Sequence, residues 1–274
     1  MNIENLISKI NASVPAPENT YMGDDGLKHC GVCHEPVQTV KHHPFTGEKL
    51  VLGVICECRK KELAKHKQAE ENYQKFKARQ ECFHETNMMD WTFANDDRQN
   101  PKMSDAMQKY VNNFTEFRKE GRGLLLSGHV GTGKTYLAAC IANALIDKGY
   151  RVKMAKFTDL VNTIQGMFDG KQQFINSLNN YQLLILDDLG AERKSEFMQE
   201  MVFNIIDSRY RAGLPLIITT NLSLDEIKKP QDIGYSRIYD RILERCFPVV
   251  VEGGSRRRQK VKDSYFDIKN KLGL

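Results

Sequence analysis

Hydrophobic and polar positions divide this chain into two unlike parts. From about residue 86 onward, short unbroken apolar runs alternate with longer segments whose apolar residues recur every three or four positions. The runs are Gly123–Ser127, Arg151–Ala155, Leu183–Asp188, Leu214–Asn221 and Phe247–Val251. Continuous apolarity of this length marks strands buried on both faces. Between them, Lys102–Glu120, Tyr136–Ile146, Thr158–Phe168, Gln172–Leu178 and Met198–Arg211 carry the helical period. Alternation of strand and helix predicts an α/β domain, a five-stranded parallel sheet with helices on both faces. Ligands of such sheets bind beyond the carboxyl ends of the strands.

Before residue 86 the pattern is sparse. Residues 1–28 are polar and punctuated by Pro15, Pro17, Gly23 and Gly26, with a short helix predicted over 1–10. Val37, Val40, Leu50, Leu52, Val54 and Ile55 predict a small hairpin around Pro44–Gly47. Arg59–Glu81 predicts a strongly basic helix with only Leu63, Tyr73 and Phe76 as apolar anchors, the pattern of a solvated face or of an arm for a partner or nucleic acid. Residues 82–103 predict a linker leading into an approach strand around Met89–Phe93, which puts the domain boundary near 85.

Three motifs bring chemistry to this frame. Gly128-His129-Val130-Gly131-Thr132-Gly133-Lys134-Thr135 is a P-loop between a strand and a helix, with Tyr136 opening the helix. Its glycines let backbone N–H groups close on phosphate oxygens, and the helix N-terminus favours the same anion. Lys134 supplies a point charge to the β and γ phosphates of ATP, and Thr135 a hydroxyl to Mg2+. The second motif is the strand ending in Asp187 and Asp188, a Walker-B pattern: Asp187 holds the magnesium and Asp188 polarises the attacking water. The third is the strand ending in Asn221, whose amide can orient that water. No N-K-x-D guanine-reading motif follows the Walker-B strand.

Composition narrows the class. The chain has 274 residues, 41% hydrophobic and 27% charged, with a net charge of +5. No run approaches the length of a membrane span and the N-terminus has no signal-peptide pattern, so a cytoplasmic protein with no membrane partner is expected. Seven cysteines in such a setting favour metal ligation over disulfides. Cys30 and Cys33 form C-x-x-C, and Cys56 and Cys58 form C-x-C, which together can close a tetrahedral Zn2+ site. His34, His42 or His43 could substitute for one sulfur. Cys82, Cys140 and Cys246 do not look like ligands.

The ordered set of P-loop, Leu186-Asp187-Asp188-Leu189-Gly190-Ala191-Glu192, Ile218-Thr219-Thr220-Asn221-Leu222 and Tyr239-Asp240-Arg241-Ile242 resembles the AAA+ ATPases of the DnaC type. These are replicative-helicase loaders; transposition helpers of the IstB type share the set. The resemblance covers roughly residues 90–262. It implies an AAA+ core over 86–274 with a reduced or absent lid, and an N-terminal zinc-binding, helicase-interaction module over 1–85. It implies Asn221 as sensor 1, Arg241 as an arginine finger reaching the nucleotide of the next subunit in a homo-oligomer, and Arg257 as sensor 2, with Arg256 or Arg258 as alternatives. It further implies ATP hydrolysis, slow because Asp188 is one methylene shorter than the usual glutamate, a replicative helicase as partner, and single-stranded DNA as ligand. Lys153, Lys156 and Phe157 are the expected DNA groove, with Phe157 in the core as the alternative. The alternative function is an IstB-like helper that binds duplex DNA and a transposase.

Overall fold

The computed structural model describes residues 19–83, 85–190, 195–230 and 232–272. The predicted helix over 1–10 and the Ala191-Glu192 part of the Walker-B motif lie outside the described residues. The chain divides into two compact units between Gln74 and Lys75. That division falls inside a continuous helix, so no loop separates the units in sequence.

In the first unit, β1 (Thr20–Met22) pairs antiparallel with β2 (Lys28–Cys30), and β3 (Gln38–His42) with β4 (Lys49–Gly53). The second pair is the hairpin expected from the apolar pattern. Its core is minute: Cys30, Val37 and Cys56, with Cys33 and Cys58 packed against them. Helix α1 (Glu57–Cys82) follows, with Cys82 its one buried residue. Tyr73 and Phe76 are more than half or half exposed, as the solvated-face reading requires. Residues Ala78, Cys82 and Phe83 at its end belong to the core of the second unit.

The second unit holds the sheet, in the order β6-β7-β8-β5-β9 with every pair parallel. The strands are β5 (Gly123–Ser127), β6 (Val152–Lys156), β7 (Leu183–Leu189), β8 (Leu216–Thr220) and β9 (Cys246–Val250). Side chains alternate between two cores, as strand geometry demands. Leu124, Leu126, Leu183, Ile185 and Ile217 face one core; Leu125, Leu184, Leu186, Leu216 and Ile218 face the other. The first core is closed by α2 (Pro101–Asn112), α3 (Phe114–Glu120) and α4 (Lys134–Asp147). The second is closed by α5 (Phe157–Gln165), α6 (Lys171–Ser177), α7 (Glu196–Arg211), α8 (Leu224–Lys228) and α9 (Ile233–Arg245). A last helix, α10 (Arg256–Leu272), follows β9.

Three expectations need correction. The helix predicted over Lys102–Glu120 is two helices, broken at Asn113, whose side chain donates to Lys109 O at 2.9 Å. Asparagine competes with the helical backbone in this way. The approach strand around Met89–Phe93 is instead two 3-10 turns, Thr86–Asp90 and Phe93–Asn95. Thr92 caps the second, its hydroxyl accepting from Asn95 N at 3.3 Å. Phe157 does not line a groove. It is fully buried, the first of the inward set Phe157, Leu160, Val161 and Ile164 on α5. No helix among the described residues is long and apolar enough to cross a membrane.

Candidate nucleotide site and cysteine cluster

The carboxyl ends of β5, β7 and β8 converge on one cavity of about 410 Å3. Its walls include Val130, Gly131, Gly133, Lys134, Thr135 and Tyr136 from the P-loop, Asp188 from β7 and Asn221 from just after β8. Asp90, Trp91, Asn95 and Arg256 complete the lining.

The P-loop holds its shape because glycine is required where it turns. Gly131 has φ +87°, and a Cβ there would sit 2.3 Å from Ser255 Oγ. Gly133, at φ +100°, is the residue from which α4 starts. Lys134 is 5% exposed, and its ammonium donates to Gly128 O, His129 O and Asn221 Oδ1 at 2.8–2.9 Å. The P-loop lysine and the Asn221 amide are therefore already in register, 87 residues apart in sequence.

The two carboxylates at the end of β7 have different surroundings because the strand is irregular there. The register with β8 shifts between Leu186 and Leu189, and Asp188 adopts φ +61°, a conformation costly to a non-glycine residue. The Thr219 hydroxyl pins the bulge: it accepts from Asp188 N at 3.0 Å and donates to Asp187 Oδ1 at 2.6 Å. Asp187 also accepts from Thr135 Oγ1 at 3.0 Å, while the Asp188 side chain faces the cavity. Burial pushes the Asp187 carboxyl above its ordinary value, against the hydroxyl of Thr219, and the neighbouring Asp188 charge adds to the rise. A buried carboxylate and a hydroxyl sharing one contact suit a hard divalent cation, whose charge offsets the cost of burial.

Arg241 does not reach this cavity. Its Nε pairs with Asp207 Oδ1 at 2.9 Å and its guanidinium lies 4.8 Å from the Phe203 ring centroid. The side chain of Arg257 lies outside the described residues. Arg256 lines the cavity: its backbone N donates to Gly131 O at 3.0 Å and its guanidinium pairs with Asp97 at 3.1 Å. Arg258 is exposed. Two features escaped the sequence pattern. Trp91 and Tyr136 form an aromatic wall, ring centroids 5.8 Å apart, fixed by the Tyr136 hydroxyl donating to Thr92 O at 3.0 Å. Phe168, between Gly166 and Gly170, is 97% exposed. Glycines on either side of it were its legible signal: the helix predicted over Thr158–Phe168 ends at Gln165, before Phe168 is reached. The expected DNA lysines are engaged: Lys153 donates to Glu81 O and Lys156 pairs with Glu85, both at 2.8 Å.

In the first unit, the sulfurs of Cys30, Cys33, Cys56 and Cys58 all lie within 4.8 Å of one another. Two of the separations are 3.5 Å (Cys30–Cys58) and 3.3 Å (Cys56–Cys58). Tetrahedral Zn–S bonds of ~2.3 Å space the sulfurs roughly 3.8 Å apart, so the donor set fits the ion. Backbone N–H groups of Cys33 and Val32 hold the Cys30 thiol down to about 6, while the neighbouring sulfurs push Cys58 up. Histidine is no member of this cluster: His34 Nδ1 meets the Tyr21 hydroxyl at 3.2 Å and His43 Nδ1 accepts from Thr46 N.

With this geometry in hand, the relatives are informative. Residues 49–264 match the IstB-like ATP binding protein family, well over half of the chain. The chain belongs to that family of P-loop ATPases. Within it, the chain is similar to the replicative helicase loader DnaI of Bacillus subtilis (strain 168), 28% identical over 167 residues, 56% of this chain and 54% of that protein. It is similar to the replicative helicase loader DnaC of Escherichia coli (strain K12), 28% identical over 141 residues, 50% of this chain and 56% of that protein. The chain thus spans about half the length of the curated relatives it matches. Among solved structures, the DnaC helicase loader superposes with a TM-score of 0.50 at 26% identity, over 61% of this chain and all of that one. A DnaI crystal structure gives 0.53 at 24% identity, over 64% of this chain and 95% of that one, and supports the AAA+ fold.

Proposed function

We propose that this IstB-like chain is an ATP-dependent loader of a replicative helicase. The convergence of Lys134, Asp188 and Asn221 on a single cavity at the strand ends carries the ATP-dependent part of the reading, and the similarity to the helicase loaders DnaI and DnaC carries the rest. In this reading Lys134 and the Gly128–Thr135 loop hold the phosphates, Asp188 takes a hydrogen bond from the attacking water, and Asn221 orients it. Thr135 and Asp187 would hold a magnesium ion, which neutralises phosphate charge when bound. Arg256, which lines the cavity, would serve as a sensor arginine ahead of the exposed Arg258. Arg241 would act in a neighbouring subunit's site rather than its own, a reading supported by its not being among the residues that line the cavity of its own chain.

The Cys30, Cys33, Cys56, Cys58 module would hold zinc and form the grip on a hexameric helicase, within an N-terminal part over 1–85. The second part, 86–274, would be the ATPase. Single-stranded DNA is the second ligand. Its aromatic contact is assigned to Phe168 in place of the buried Phe157, because base stacking needs an open ring face. Phe168→Ala should weaken single-stranded DNA binding by about 1–3 kcal/mol per stacked base, with ATP affinity unchanged, in fluorescence anisotropy at two salt concentrations. Equal binding by the variant removes Phe168 from the DNA path.

Co-purification tests the loader reading itself. The full chain should retain a replicative helicase hexamer, and a Cys56→Ser, Cys58→Ser variant should lose it while still binding ATP. Retention of duplex DNA and a transposase, with no helicase, would establish the transposition-helper alternative.

A further inference from the structure

Asn143 lies on α4, on the same helix that begins at Lys134, but it does not line the nucleotide cavity. It is 1% exposed, and a buried amide must be satisfied. Its Nδ2 donates to Met88 O and Trp91 O at 2.9 Å each and to Ala139 O at 3.2 Å. Its Oδ1 accepts from Arg79 Nε at 2.9 Å, which also fixes which end of the amide is which. Arg79 belongs to the last turn of α1, and its Nη2 donates to Asp147 Oδ1 at 2.6 Å.

One planar amide therefore touches both the backbone that carries Trp91 and the last turn of α1. Its nitrogen has two protons for three carbonyls. One proton is shared, so a small shift of the Trp91 carbonyl redistributes the bonds at little cost. Rotation of the amide also moves Oδ1 against Arg79. Arg79 keeps Asp147 as a second anchor, so it can yield to Asn143 without losing all its partners.

We propose that Asn143 is a positioning residue that couples nucleotide in the cavity to the last turn of α1, through Trp91 on one side and Arg79 on the other. The inference rests on the reading of the cavity as an ATP site. A base resting on the Trp91 ring moves the Trp91 carbonyl, and the amide passes that displacement to Arg79. By linkage, a load applied to α1 changes nucleotide affinity by the same factor.

The test uses the full chain. Trp91 is its single tryptophan, so intrinsic emission reports the cavity wall without a label. Hydrogen exchange over residues 75–83 reports the end of α1. With ATPγS, wild type should show changed emission and a change of about fivefold or more in exchange over 75–83. Arg79→Ala should keep the emission change and the affinity but lose the exchange response, and Arg79→Lys should restore part of it. Asn143→Ala should lose the response as well; if that variant fails to fold, Arg79→Ala carries the test alone. A merely structural role would depress affinity and protection together. Wild-type emission that changes while exchange over 75–83 stays constant overturns the coupling and leaves the ATP reading standing. So does a full exchange response in Arg79→Ala. Absence of both emission change and calorimetric heat in wild type removes the ATP reading, and the coupling with it.

Discussion

Arg241→Ala is expected to lower assembly-stimulated ATP hydrolysis by roughly 10³–10⁵-fold while leaving nucleotide binding intact. The side chain is absent from the walls of its own cavity and held elsewhere, by the Asp207 carboxylate and the Phe203 ring. As a finger it would act on a nucleotide across a subunit boundary. Asp207→Asn separates this from a structural role. If the pair matters chiefly for the fold, removing either partner lowers the melting temperature and activity alike. If Arg241 is a finger, Asp207→Asn frees the guanidinium and hydrolysis at assembling concentrations persists. Unchanged turnover in Arg241→Ala at those concentrations would remove the arginine from the mechanism.

Chelation of zinc should unfold residues 28–56 and leave the ATPase unit standing. The first unit buries only Cys30, Val37 and Cys56 among its described residues, far too little apolar surface to hold two short hairpins. Structural zinc in small modules supplies about 10–16 kcal/mol of apparent binding free energy at neutral pH. That is enough to decide whether the module folds. One zinc per chain by elemental analysis, and loss of exchange protection over 28–56 on chelation with Trp91 emission unchanged, is the predicted result. Substoichiometric zinc in protein whose 28–56 protection survives chelation would contradict it.

The parts of the fold legible in sequence were those where one physical demand dominates. A strand buried on both faces must be apolar throughout, and β5, β7 and β8 were visible for that reason. The P-loop glycines were visible because no other residue permits the turn at Gly131. The cysteine pairs were visible because few other constraints place four sulfurs at such spacing. What escaped was in part local and in part dependent on contacts distant in sequence. Helix α2 ends at Asn113 by a local asparagine bond that composition alone does not announce. Phe157 looked like a platform, yet its spacing to Leu160, Val161 and Ile164 already placed it on the inward face of α5. The docking of Ser255 and Arg256 on Gly131 joins residues more than a hundred positions apart, and no local pattern encodes it. The bulge that turns Asp188 into the cavity is fixed by Thr219 on the next strand, which the strand sequence by itself does not reveal.

The central claim is that the cavity around Lys134 holds ATP. Isothermal calorimetry of the full chain with ATP and Mg2+ tests it most directly, alongside Lys134→Ala. The predicted result is one nucleotide per chain for wild type, with binding lost in the variant because three aligned oxygens around the ammonium give way to phosphate only when the positive charge is present. No heat with wild type, or equal affinity in Lys134→Ala, would contradict it.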